Sequence, residues 1–392
     1  MFAGMALFTI FCLPVALAKN IETALVGRFF CGMFGAAPLS ITGGGLVDMW
    51  NPIQRGVALA ACIGTIFGSP ILAPLMGNFI SASYLGWRWT MWLSGIMGLA
   101  ASALVLVGLP ETHVPTILRG KAARMRRETG NSELKSQFDG VSTGIGDIVN
   151  IFLVRSFSKY AVPNNMVADL TCPTEMLATE PILVFITIYQ SFIYGILYLI
   201  FVSYPIAFRE VRGWKLGPSA LPYLGMFLGV IFGAITVVWQ TRTRFARLTR
   251  ENNGVIIPEQ RLPIMIIGSC MLPVGLFIFA WTSDPKIHWS GMVIGSIPVG
   301  MSMYMIFVQC LNYIVDVYQK LANSAIGANT FVRSFFGAAF PLFGPAMYHR
   351  LGVDWATSVL AFFAIAMIPI PVVFYKYGHT IRKWSKNSMN KD

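Results

Sequence analysis

The sequence predicts an all-α membrane protein with about ten spanning helices, on three observations. Of the 392 residues, 55% are hydrophobic and only 12% are Asp, Glu, Lys or Arg, which is about half the charged share of a soluble domain. Mean hydropathy is +0.64, while Gly (37) and Pro (22) stay abundant, as they do in membrane helices. Apolar stretches near the ~20 residues that cross a bilayer recur along the whole chain. This composition excludes a cytosolic enzyme, a nucleic-acid binder and a disulfide-stapled secreted module.

The spans fall at roughly 1–18, 24–47, 56–80, 89–109, 182–206, 218–240, 262–282, 290–314, 324–348 and 354–375. Charged and turn-forming breaks separate them, such as Asp48-Met49-Trp50-Asn51-Pro52 and Thr282-Ser283-Asp284-Pro285. Most of the ten Trp lie near span ends, among them Trp50, Trp87, Trp214, Trp281 and Trp355, where an aromatic belt meets the headgroups. The first span ends in Val15-Ala16-Leu17-Ala18 like a signal peptide, but no basic residue precedes it, so it reads as a span.

The formal net charge of +12 orients the chain. Twenty of the 29 Lys and Arg fall in the loops after the second, fourth, sixth and eighth spans or in the C-terminal tail. Under the positive-inside rule those loops and both termini are cytoplasmic. Five of the six Cys lie in spans without C-x-x-C spacing, and the four His form no ligand pair. No catalytic motif and no phosphate-binding G-x-x-x-x-G-K-[ST] occurs, so the chain is read as no enzyme, with no metal and no cofactor.

The long loop at 110–181 divides four spans from six, and a pattern recurs on either side of it. Val47-Asp48-Met49-Trp50 is echoed by Val315-Asp316-Val317-Tyr318, and Pro74-Leu75-Met76-Gly77 by Pro341-Leu342-Phe343-Gly344. Equal order and topology in both copies describe a parallel repeat, as in some secondary transporters. The expected organisation is an incomplete N-terminal bundle at 1–109, a cytoplasmic linker at 110–181, a six-helix bundle at 182–375 and a basic cytoplasmic tail at 376–392. By the repeat, the chain is short of two helices at its start.

Gly27-Arg28-Phe29-Phe30-Cys31-Gly32, Gly68-Ser69-Pro70-Ile71-Leu72-Ala73-Pro74-Leu75-Met76-Gly77, Leu109-Pro110-Glu111-Thr112, Tyr194-Gly195-Ile196-Leu197-Tyr198 and Pro258-Glu259-Gln260-Arg261 together resemble the major facilitator superfamily. Within it the chain is similar to the twelve-span fungal drug:proton antiporters, over nearly its whole length. The resemblance implies a two-bundle fold from which the first two of twelve helices are missing. It also implies alternating access, a proton as coupling ion, and residence in the plasma membrane as a monomer. Two departures stand out. Ala73 and Asn78 replace glycines of the antiporter motif, and residues 159–172 interrupt the approach to the seventh helix as an insertion of the kind a retained intron leaves.

The expected substrate cavity holds Arg28 and Arg333, charges that lie inside spans, with Tyr189, Tyr194 and Tyr198 of the aromatic seventh helix. A charge at that depth is costly unless paired or wet, and aromatic walls with hydroxyls suit amphiphilic or cationic organic substrates. The Gly/Pro run with Gly64, Gly68, Pro70, Pro74 and Gly77 is expected to act as a hinge, with Pro341 and Gly344 as counterparts. Glu22, Asp48, Arg55 and Asp316 are candidates for charge pairs, and Glu259 with Arg261 for a cytoplasmic gate pair. No carboxylate lies near a span midpoint, so proton coupling rests on the resemblance. Expected partners are a small organic substrate, protons and the lipid bilayer, with no nucleic acid. Two readings stay open: an exporter of small organic molecules such as drugs or metabolites, and a non-transporting remnant of one.

Overall fold

Long apolar runs bounded by Pro, Gly and charge give helices here because a helix alone satisfies its backbone groups within one apolar segment. A computed structural model describes residues 2–50, 52–108, 114–130, 176–253 and 257–385. The 159–172 stretch and the side chain of Asp48 lie outside the described residues. The helices are α1 (Phe2–Ala16), α2 (Ile21–Met49), α3 (Pro52–Ala82), α4 (Arg88–Gly108), α5 (Val114–Thr129), α6 (Pro181–Tyr204), α7 (Tyr223–Gln240), α8 (Leu262–Trp281), α9 (Ser290–Val317), α10 (Ala322–Met367) and α11 (Pro369–Trp384). Among the described residues, seven helical segments are long and apolar enough to cross a membrane, and the apolar α1 is shorter.

Several boundaries differ from the sequence expectation, for local reasons. Helix α6 continues as a π-helix to Val211, and α7 runs on through Thr241–Phe245 and Ala246–Glu251, because nothing in Thr241-Arg-Thr-Arg-Phe breaks a helix. The expected tail from 376 is helical as far as Trp384. The Gly/Pro run does not interrupt α3, which passes through Pro70 and Pro74 as one helix. The break that does occur is in α10, at Gly352 (φ 79°, ψ 163°). It divides α10 into a first limb that covers the expected span at 324–348 and a shorter second limb that ends at Met367, so the expected span at 354–375 is shared with the start of α11.

Packing does not follow the division by chain order. Helices α1, α2 and α4 form a small group around Cys12, Val15 and Cys31. Helix α3 instead gives its buried stripe of Ala60, Ile63, Phe67 and Ile71, spaced as one helix face, to the large core of α6–α11. It packs on α7 and α9, while α10 packs on α2. Because α3 and α9 in one contact correspond in the repeat to α10 and α2 in the other, the seam between the halves is built twice from the same pair of elements.

Close approach inside the second half depends on missing side chains. A Cβ at Gly229 of α7 would stand 2.1 Å from the Ile297 carbonyl, and one at Gly300 of α9 would stand 2.2 Å from that of Met226. Small residues of this kind allow helix backbones to meet in a membrane. At the end away from Arg55, Arg212 ties α6 to the α8–α9 loop through the carbonyls of Thr282 (3.0 Å), Asp284 (2.9 Å) and Ile287 (2.9 Å). Burial draws its guanidinium below the ordinary arginine range, with the charge of Asp284 opposing.

Candidate functional site

The seam carries a charged clasp at one end. Arg55, at the start of α3, donates from Nη2 to Oδ1 of Asp316 at 2.6 Å. Arg261, just ahead of α8, donates from Nε to the other carboxylate oxygen. All three are buried, so the carboxylate must be matched to remain charged. Gly56 makes the room: a Cβ there would lie 2.9 Å from Nη1 of Arg261. The Phe245 ring covers the Arg261 guanidinium at 3.9 Å, and its π face adds a further favourable contact.

A second buried group adjoins the clasp. Glu259 pairs with Arg382 of α11 at 3.0 Å, so the expected Glu259–Arg261 pair is replaced by two pairs with other helices. The physical reason is position: Glu259 and Arg261 sit in one short 3₁₀ turn and face different neighbours. Glu180, ahead of α6, accepts from the Tyr318 hydroxyl at 3.2 Å and from Ser385 Oγ. Burial pushes the Tyr318 hydroxyl, just beyond α9, above the usual phenol range, so it stays a donor. The last residues of the described chain are thus anchored by polar contacts.

Midway along the bundle, a different chemistry occupies the seam. Tyr194 and Tyr198 are one turn apart on α6, with ring centroids 5.0 Å apart and hydroxyls at 3.3 Å. The Arg333 guanidinium of α10 lies over Tyr194 at 4.8 Å and over Phe307 of α9 at 4.6 Å. Phe67 of α3 closes on Phe307 at 4.6 Å, so the box spans both halves. Gly337, one turn beyond Arg333, lets α10 reach the tyrosines, since a Cβ there would lie 2.8 Å from the Tyr194 ring. One turn toward the clasp, Asn329 donates to Thr187 at 3.1 Å, and the buried amide of Gln190 has no partner.

Other expected site residues lie elsewhere. Tyr189 sits beside Ser269 and Cys310, away from the box, because five residues turn a helix by about 140° where four turn it by about 40°. Arg28 is exposed, in a groove of ≈ 400 Å³ with Lys19, Trp87 and Arg88. Glu22 lines a neighbouring groove of ≈ 370 Å³ with Phe11 and Phe30. Gly64 faces Tyr304, and Gly68 faces Phe227 of α7. Nothing stands within 4 Å of a Cβ placed at Gly77. Gly344 packs within its own half, its Cβ position 2.9 Å from Leu199 of α6, and Pro341 lies beside it in the first limb of α10.

The sequence reading missed several participants. The spacing Gly56-x3-Ala60-x3-Gly64-x3-Gly68 was a usable signal that one face of α3 meets other helices closely. Gln190, Asn329 and Phe307 carried no such signal, since each becomes part of the site only through the packing of α6, α9 and α10.

The sequence and the helical fold that carry these contacts have known counterparts. The chain is 65% identical over 388 residues to the MFS-type transporter oryN of Aspergillus oryzae, covering 99% of this chain and 72% of that protein. It is 48% identical to the citrinin biosynthesis cluster MFS transporter mrr1 of Monascus ruber, covering 99% and 74%. It is 38% identical to the cercosporin MFS transporter CTB4 of Cercospora nicotianae, covering 98% and 71%. Among solved structures, the human organic anion transporter MFSD10 superposes with a TM-score of 0.57 at 12% identity, over 95% of this chain and 76% of that one, a likeness of fold. Residues 1–341 match the profile of the Major Facilitator Superfamily, and with the helical architecture and these relatives the chain belongs to that family of membrane transporters.

Proposed function

We propose that the chain exports small organic molecules, of the secondary-metabolite kind, by alternating access between its two halves. The observation that carries this reading is the Arg55–Asp316–Arg261 clasp closing one end of a seam whose middle holds the Arg333–Tyr194–Phe307 box. A seam held at one end by ion pairs opens there when the pairs part, while the packed helices move as units. Relatives named for citrinin and cercosporin support a metabolite as cargo. The basic loops support a cytoplasmic clasp and cytoplasmic termini by the positive-inside rule, and residence in the plasma membrane is part of the proposal.

We assign proton antiport to the buried carboxylates of the clasp end, Glu180, Glu259 and Asp316, which among the described residues are the ones enclosed by the bundle. Gly64 and Gly68 serve the motion as close-packing points on α3. The test is expression of the full chain in a yeast lacking its own drug exporters, scored for tolerance and dye retention across neutral, acidic and basic compounds. Reduced retention that a protonophore abolishes is expected. Retention equal to that of the empty strain for every compound would sink the proposal and favour a non-transporting protein.

A further inference from the structure

We infer that Arg333 is the counter-ion of an anionic substrate group, and that the box takes planar aromatic acids. This rests on the transport reading, since the box lies in the seam that would open. Arg333 is 11 residues into α10, roughly 16 Å along the helix, near the middle of a bilayer whose core is about 30 Å thick. A bare cation at that depth is costly. The buried arginines of the clasp are matched by carboxylates, Arg55 and Arg261 by Asp316 and Arg382 by Glu259. Arg333 is different. Among the described residues its guanidinium meets two π faces and no carboxylate, and its enclosed Nε has no acceptor.

That arrangement selects by charge. A π face that already holds a guanidinium repels a second cation, so the box does not suit cationic compounds even though its walls are aromatic. A carboxylate would supply the missing acceptor through charge-assisted hydrogen bonds. The ring attached to it would stack among Tyr194, Tyr198, Phe307 and Phe67. The amide of Gln190 and Oδ1 of Asn329, both buried without partners, lie one turn away on the same two helices. They can donate to and accept from hydroxyl or carbonyl groups on such a ring. A neutral isostere would leave Nε of Arg333 unsatisfied.

The test uses three probes sharing one ring: 2-naphthoate, 2-naphthamide and 2-naphthylmethylammonium. Binding to the purified full chain is measured by equilibrium dialysis, and flux in proteoliposomes. Naphthoate is expected to bind about tenfold tighter than the amide, with the ammonium weakest. Arg333→Gln should erase the difference, and Arg333→Lys, which keeps the charge, should retain a preference for the acid. Equal or tighter binding of the amide or the ammonium to the unmodified chain overturns the inference, with no variant needed. So does an Arg333→Gln protein of normal elution profile that still prefers naphthoate. Flux of the amide or ammonium but not the acid overturns the acid assignment and leaves transport standing. Arg333-dependent acid binding without flux of any probe supports the anion site and overturns transport.

Discussion

Arg55 of α3 and Asp316 of α9 stand 261 residues apart in the chain and 2.6 Å apart in the fold. One carboxylate oxygen serves an arginine of the first half and the other serves Arg261 of the second. Removing the carboxylate therefore takes a shared counter-ion from two buried arginines at once, while removing Arg55 leaves Asp316 still matched by Arg261.

Asp316→Ala should lower the unfolding free energy by about 3–5 kcal/mol, the cost of an uncompensated buried charge. Arg55→Met, which keeps an apolar stem, should cost clearly less. Thermal unfolding of the detergent-solubilised protein gives the order. A larger loss for Arg55→Met would mean that the carboxylate is not the shared centre.

Arg382→Met should free the end of α11, because it leaves Glu259 buried without its cation. Amide hydrogen exchange across 376–385 is expected to rise, while exchange at the far end of the bundle, around Arg212, stays as it was. Glu180→Gln should loosen the same segment by a smaller amount, since a neutral amide oxygen still accepts from Tyr318 and Ser385.

Gly337→Ala places a methyl group 2.8 Å from the Tyr194 ring and should disturb the box, cutting probe binding about tenfold or more. Gly77→Ala meets nothing within 4 Å and gains helix propensity, by up to about 1 kcal/mol. Comparing transport rates of the two tests whether Gly77 has a hinge role. A rate loss at Gly77→Ala without a stability loss would favour the hinge.

Gly229→Ala would press a methyl group against the Ile297 carbonyl and is expected to cost about 1–3 kcal/mol, as overpacking does. Tyr304→Phe removes the hydroxyl that bonds the Ala60 carbonyl across the seam and should cost about 1 kcal/mol. Chemical denaturation in mixed micelles separates the two.

The all-helical membrane class and most of its long apolar helices were legible in the sequence, because apolar length is a local property. Asp316 was a candidate for pairing with a nearby arginine or a helix N-terminus, and it pairs with two arginines that are distant in the chain. What was not legible depended on angle and partner. Tyr189 and Tyr194 look equivalent in a list of aromatics, yet five residues of helix turn them to different neighbours. Glu259 and Arg261 look like a pair until Arg382 and Asp316 arrive from helices distant in sequence. The allegiance of α3 to the second half was foreshadowed only by its four-residue spacing of small residues.

The left-handed backbone at Gly352 has a consequence for sidedness. A 46-residue helix without a break would extend about 69 Å, more than twice the apolar thickness it must cross, and would carry its end out into water. With φ 79° and ψ 163°, a conformation essentially reserved for glycine, the chain reverses there and re-enters the bilayer. The return path delivers Arg382 and Ser385 to the same face as Glu259 and Glu180. One missing methyl group thus folds α10 back on itself, so that α11 ends at the same end of the bundle as the start of α6.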